Sequence, residues 1–122
     1  MVLERPSRLT SVRPKILVTR RLPAPVEERM ATLFEATFNP DDTPYTAQTL
    51  IAALKGQDVL VSSINDRIDA ELISRLPDTV RLIAQFGNGF DNIDIEAAYA
   101  AGLIVTNTIA AFKGSLGWKG SI

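Results

Sequence analysis

Neither histidine nor cysteine occurs in the 122 residues. The first absence removes the commonest general base and the commonest transition-metal ligand. The second excludes a disulfide framework and thiol chemistry, and makes a reducing cytoplasm the expected compartment. An excess of charge of one sign is missing too. Thirteen Lys and Arg stand against 14 Asp and Glu, a net charge of −1, so no field favours nucleic acid or an anionic membrane. No apolar run approaches the roughly 18 residues that a membrane span needs. Residues 1–13 carry positive charge with no apolar stretch behind it, which reads as a polar, frayed leader and not as a secretory signal. What is present, 46% hydrophobic and 22% charged residues, is an ordinary globular composition in one domain's length of chain.

Short apolar runs alternate with longer amphipathic ones. Lys15-Ile16-Leu17-Val18-Thr19 predicts a buried strand. Pro25 suits a first helical position, and Val26, Met30, Leu33 and Phe34 follow on one helical face. A weak strand over residues 36–39 runs into a turn at Pro40-Asp41-Asp42. Ala47, Leu50, Ile51 and Leu54 form a second helical stripe, with Gly56 as its stop. Residues 58–62 predict a third strand, after which Asp69 caps a helix carrying Leu72, Ile73 and Leu76 that ends at Pro77. Residues 81–86 predict a fourth strand. Asp91 or Asn92 would cap a helix through Ala97, Ala98 and Ala101 to Gly102, and residues 103–106 a fifth strand. Strand alternating with helix in this way predicts an α/β fold, a five-stranded parallel sheet with helices on both faces. The flavodoxin-like version has order 2-1-3-4-5. The expected organisation is the leader at 1–13, one lobe over 14–108 and an atypical tail at 109–122, where Gly114, Gly117 and Gly120 interrupt any period and disorder is expected.

In open α/β sheets ligands bind beyond the carboxyl ends of the strands. That selects three loops on one rim, at residues 19–23, 62–66 and 87–91. Gly87-Asn88-Gly89-Phe90-Asp91-Asn92 begins like the G-x-G-x-x-G dinucleotide fingerprint, between a strand and a helix. Its third glycine is Asn92, and the acid expected about 20 residues on falls at Thr106-Asn107, neither of them acidic. The partial match therefore favours an anion smaller than a pyrophosphate, such as a carboxylate held by backbone N–H groups. A tight turn that merely requires glycine accounts for the same residues. Arg20 and Arg21 invite an anion-site reading, but exposed arginines are usually just solvated. Asp66 and Arg67 read as a charged turn, and Asp91 and Asp94 as acids favoured at a helix N-terminus.

The run Leu82-Ile83-Ala84-Gln85-Phe86-Gly87-Asn88-Gly89-Phe90-Asp91-Asn92-Ile93-Asp94 resembles the G-x-G-x-D-N-I-D segment of NAD(P)-dependent D-2-hydroxyacid dehydrogenases. Gly102-Leu103-Ile104-Val105-Thr106-Asn107-Thr108 is similar to that family's G-I-x-V-x-N-T continuation. Lys15 to Pro23 resembles the opening of its glyoxylate/hydroxypyruvate reductases, and residues 58–69 the strand and x-D-R-I-D turn that follow. The resemblance covers residues 14–108. It implies the substrate-binding lobe of a two-lobed oxidoreductase acting on the CH–OH group, in which a 2-oxo acid such as glyoxylate or hydroxypyruvate is reduced. It implies that the backbone at Asn88 and Gly89 holds the substrate carboxylate and that Ile64 borders the substrate pocket. NAD or NADP would be bound by a Rossmann domain outside the resembling residues, in an enzyme that forms homodimers.

Two departures limit the resemblance. The family's N-T-P-G is Asn107-Thr108-Ile109-Ala110 here, and its catalytic Arg, Glu and His have no counterpart in a chain without histidine. The expectation is a lobe truncated before the cofactor domain and inactive alone. It would have no catalytic residue, metal or bound cofactor of its own, take a small 2-oxo or 2-hydroxy acid, and be monomeric or weakly self-associating. A non-catalytic stand-alone module that binds a small carboxylate or a partner protein is the alternative. A receiver domain would share the fold and length but needs acids after strand 1, an Asp after strand 3 and a Lys after strand 5. Those places hold Thr19-Arg20-Arg21, Ser62-Ser63 and Thr106-Asn107.

Overall fold

The computed structural model describes residues 13–87 and 89–107. The expectations placed on the leader, on Asn88 and on the tail therefore fall outside the described residues, apart from Arg13. Five strands run in the order β1 (Lys15–Val18), β2 (Glu35–Thr37), β3 (Val59–Ser63), β4 (Leu82–Phe86) and β5 (Ile104–Asn107). Between them lie α1 (Ala24–Leu33), α2 (Ala47–Ala53), α3 (Ala70–Ser74) and α4 (Ile95–Ala100). All strand pairs are parallel and the spatial order is β2-β1-β3-β4-β5, the doubly wound arrangement expected from the alternation.

Period-two alternation sorts the strand side chains between two cores. Ile16, Val18, Val61 and Ala84 face one side with Leu22 and Met30, beneath α1. Leu17, Leu60 and Ile83 face the other, against Leu50 and Leu54 of the second crossover, Leu72 and Ile73 of α3 and Ala98 of α4. The split follows from chain direction. The path moves outward from β1 to β2, then back past β1 to β3 and onward, and a right-handed crossover changes face when that direction reverses. The reversal separates the loops leaving β1 and β3 at the carboxyl edge, which opens the crevice where such sheets bind ligands.

Local signals set most boundaries. Thr46 and Thr49 form a reciprocal capping box at the start of α2. Asp69 caps α3 by accepting from the Leu72 N–H at 2.9 Å. At α1 the cap residue is Pro23, so Pro25 takes the second helical position, where its missing N–H still costs nothing. One assignment is corrected. The cap of α4 is Asp94, which accepts from the Ala97 N–H at 3.0 Å, and neither Asp91 nor Asn92. The Ile68 N–H donates to Asn92 O and the Asp94 N–H to Ile68 O, both at 2.9 Å, a parallel bridge that holds Ile93 out of the helix. Among the described residues no helix is long and apolar enough to cross a membrane.

Candidate functional site

Parallel strands deliver their carboxyl ends to one rim, and three connections leave from it: residues 19–23, 64–67 and 87–94. Thr19, fully buried, donates its hydroxyl to Asp66 Oδ2. The same oxygen accepts from the Ser63 N–H at 2.8 Å and lies 3.2 Å from Ser63 Oγ. Asp66 is thus the tie between the first two loops, a role that the charged-turn reading missed. The Asp66 N–H donates to Ser63 O at 3.0 Å, closing residues 63–66 into a turn with Ile64 at its apex, 60% exposed.

The third loop is joined by two amides. Gln85, fully buried on β4, accepts from Ser62 Oγ at 2.7 Å and donates to Gly89 O at 2.9 Å and to Asn92 Oδ1 at 2.5 Å. Asn92 in turn donates to Ser63 O at 2.9 Å and to Asp66 O at 2.6 Å. Neither residue was singled out in the sequence as belonging to a site. Asn92 was legible there as a failed third glycine and as a cap candidate, and the polar Gln85 inside an otherwise apolar strand was the other available signal.

The two glycines differ. Gly87 has φ +145°, a conformation that L side chains rarely adopt, and an added Cβ would come within 3.0 Å of Ile64 Cγ2. At Gly89, nothing among the described residues lies within 4 Å of where a Cβ would be. It is exposed, and its N–H has no hydrogen-bond partner among the described residues. Gly87 therefore meets a steric need, whereas Gly89 leaves an open approach to a backbone donor. Asn88, between them, lies outside the described residues.

The Arg20 side chain after β1 is directed elsewhere. Arg20 Nε and Nη2 donate to Asp42 at 2.9 and 3.2 Å, and the Arg21 N–H donates to Asp42 Oδ1 at 2.8 Å. The Arg20 guanidinium and then the Arg21 N–H hold the Asp42 carboxyl at about 2, below its ordinary range. Arg20 is itself raised by the same hydrogen bond. A cavity of ≈ 290 Å³ opens beside Tyr45, Leu50, Asp66 and Arg67, and neither Ile64 nor Gly89 lines it. No group of His, Cys, Asp and Glu among the described residues could hold a metal ion.

A dinucleotide does not fit this loop. The third position of the fingerprint, where glycine permits close helix–strand packing, holds an Asn92 side chain committed to the loop carbonyls. Asn107, at the end of the next strand, brings an amide that donates to Gly87 O where a ribose-binding carboxylate would stand.

Fold and rim together define an α/β lobe of doubly wound topology with a backbone-donor loop at its carboxyl edge. The model of the D-isomer specific 2-hydroxyacid dehydrogenase catalytic domain matches residues 16–116, and the chain belongs to that family. Glyoxylate reductase from Korarchaeum cryptofilum is 36% identical over 97 residues, 80% of this chain and 29% of that protein. The chain thus spans about 29% of the length of that curated relative. Two solved structures are similar. One is NAD⁺-bound 3-phosphoglycerate dehydrogenase from Entamoeba histolytica, with TM-score 0.66 and 27% identity over 80% of this chain and 33% of that one. The other is a glyoxylate reductase from Paecilomyes thermophila, with TM-score 0.60 and 25% identity over 77% and 32%.

Proposed function

We propose that this chain is the substrate-binding lobe of a D-2-hydroxyacid dehydrogenase that reduces a small 2-oxo acid such as glyoxylate. In this reading the backbone at Asn88 and Gly89 holds the substrate carboxylate and Ile64 borders the substrate. The observation that carries it is the N–H of the exposed Gly89, without a partner among the described residues, none of which lies within 4 Å of where a Cβ would be. Backbone donors can fix a carboxylate without a side-chain charge. That suits a rim whose Arg20 is already engaged by Asp42.

Reduction needs a bound nicotinamide and a proton donor at the carbonyl oxygen. NAD or NADP would supply the hydride from a second domain packed against this rim. The chain's part is to hold the carboxylate, orient the carbonyl and exclude water on one side. The 122 residues alone, with no histidine, bind the acid without turning it over.

Titration of the isotope-labelled chain with glyoxylate tests this. The expected result is millimolar binding that moves the amide resonances of Gly89 and Ile64, with no oxidation of NADH when both are present. Turnover by the chain alone would overturn its proposed inactivity. Resonance changes elsewhere, with the Gly89 loop unmoved, would refute the site and leave the stand-alone binding module standing.

A further inference from the structure

We propose that Asn92 is the positioning residue of the carboxylate site, through which the Ile64 turn and the Gly89 loop are set relative to each other. The inference rests on the carboxylate reading above and deepens it. The two segments leave neighbouring strands, β3 and β4, paired as far as Ser63 and Phe86, and a backbone bridge at Ile68 rejoins them beyond the rim. Between those main-chain ties the Ile64 turn and the Gly89 loop are joined by a single side-chain amide. Its nitrogen donates to Ser63 O and Asp66 O, the two carbonyls that bracket Ile64. Its oxygen accepts from Gln85 Nε2, which also donates to Gly89 O. Gln85 is anchored in turn, being fully buried and accepting from the buried Ser62 hydroxyl. A rigid strand therefore hands its orientation through Gln85 to Asn92, and from there to both loops that face the substrate.

The chemistry requires an amide at this place. Glycine, the fingerprint residue, would leave Gln85 Nε2 without its Asn92 partner and Asp66 O without a donor in a partly buried junction. A carboxylate would keep the shape but set oxygen against the carbonyl oxygens of Ser63 and Asp66. Only a group with two donors and one acceptor satisfies all three neighbours. Because a displacement of about 1 Å at a binding constellation can cost orders of magnitude, the residue that sets loop spacing also sets affinity.

The test compares the unmodified chain with Asn92→Asp, Asn92→Ser and Leu54→Ala. Glyoxylate affinity is read from the Gly89 amide and stability from urea unfolding. Asn92→Asp should weaken glyoxylate binding by about tenfold or more at about pH 7.5 and recover part of it by about pH 4, where a carboxyl of ordinary pKa is about half protonated and regains one donor. The unmodified chain should show no such recovery. Asn92→Ser, which keeps one small donor and serves if Asn92→Asp does not fold, should fall between the two. Leu54→Ala should lower stability and leave the affinity unchanged, since it lies in the core away from the rim. If the unmodified chain binds and the Asn92 variants bind equally well, the positioning role is wrong and the carboxylate reading stands. Affinities that merely track stability, with Leu54→Ala as weak as Asn92→Asp, also overturn it. If glyoxylate moves no rim resonance in the unmodified chain, both fall together.

Discussion

Two glycines one residue apart predict opposite phenotypes. At Gly87 an alanine must hold φ near +145° and push against Ile64 Cγ2 at 3.0 Å, so Gly87→Ala should cost about 1–3 kcal/mol in urea unfolding. At Gly89 an added methyl meets nothing within 4 Å among the described residues. Gly89→Ala should therefore leave stability within about 0.5 kcal/mol while weakening glyoxylate binding, since the methyl would crowd the face from which the N–H is approached. A loss of stability at Gly89 equal to that at Gly87 would show both glycines to be turn residues. Asp42 gives a pH prediction. It sits at φ +56°, a region that Asp and Asn tolerate better than most residues. Its folded pKa of about 2 lies below the ordinary carboxylate value, so the Arg20 pair stabilises the fold above about pH 4 and loses that contribution as pH falls towards 2. Asp42→Asn keeps the backbone conformation and removes the charge. Its unfolding curve should approach that of the unmodified protein as the pH drops, and it should be the less stable of the two at neutral pH.

At the scale of elements, legibility in the sequence divides by the range of the interaction. Strands and helices were readable because their causes lie within a few residues: the unbroken apolar run Ile16-Leu17-Val18, and the caps at Thr46 and Asp69. The cap of α4 was misread because its cause is distant. Ile68, on another loop, pairs with residues 92–94 and delays the helix to Asp94. The rim follows the same division. Its three loops could be named from strand ends alone, whereas the Thr19–Asp66 bond spans 47 residues and the Asn92–Ser63 bond 29. Nothing in local pattern announces such pairs, and so Gln85, Asn92 and Asp66 passed as strand, failed glycine and turn. The caps supply an element-scale prediction. Asp94→Ala removes the acceptor for the Ala97 N–H and should cost about 1 kcal/mol, whereas Asp91→Ala, which lies outside the helix, should cost close to none. Equal losses in thermal unfolding would return the cap to the earlier position.

For the whole molecule, the central strands are shared walls. Leu17 belongs to the core under α2–α4, while its neighbours Ile16 and Val18 belong to the core under α1; Leu60 and Val61 divide likewise, as do Ile83 and Ala84. A strand cannot lose its order on one face and keep it on the other, because its hydrogen-bond ladder to both neighbours holds both sets of side chains. The two cores should therefore melt as one cooperative unit, as small domains usually do. Leu54→Ala tests this, since Leu54 is fully buried on the α2 side. The cavity and lost burial should cost about 2–5 kcal/mol. If the sheet couples the faces, the Met30 methyl signal under α1 and the Ile73 methyl signal under α3 will vanish at the same, lower urea concentration. A variant in which Met30 keeps its native signal after Ile73 has lost it would show two independently melting layers. The rim loops would then have to be anchored by one layer alone, and because Ser62 and Gln85 point to the α2–α4 side with Leu60 and Ile83, it would be that layer.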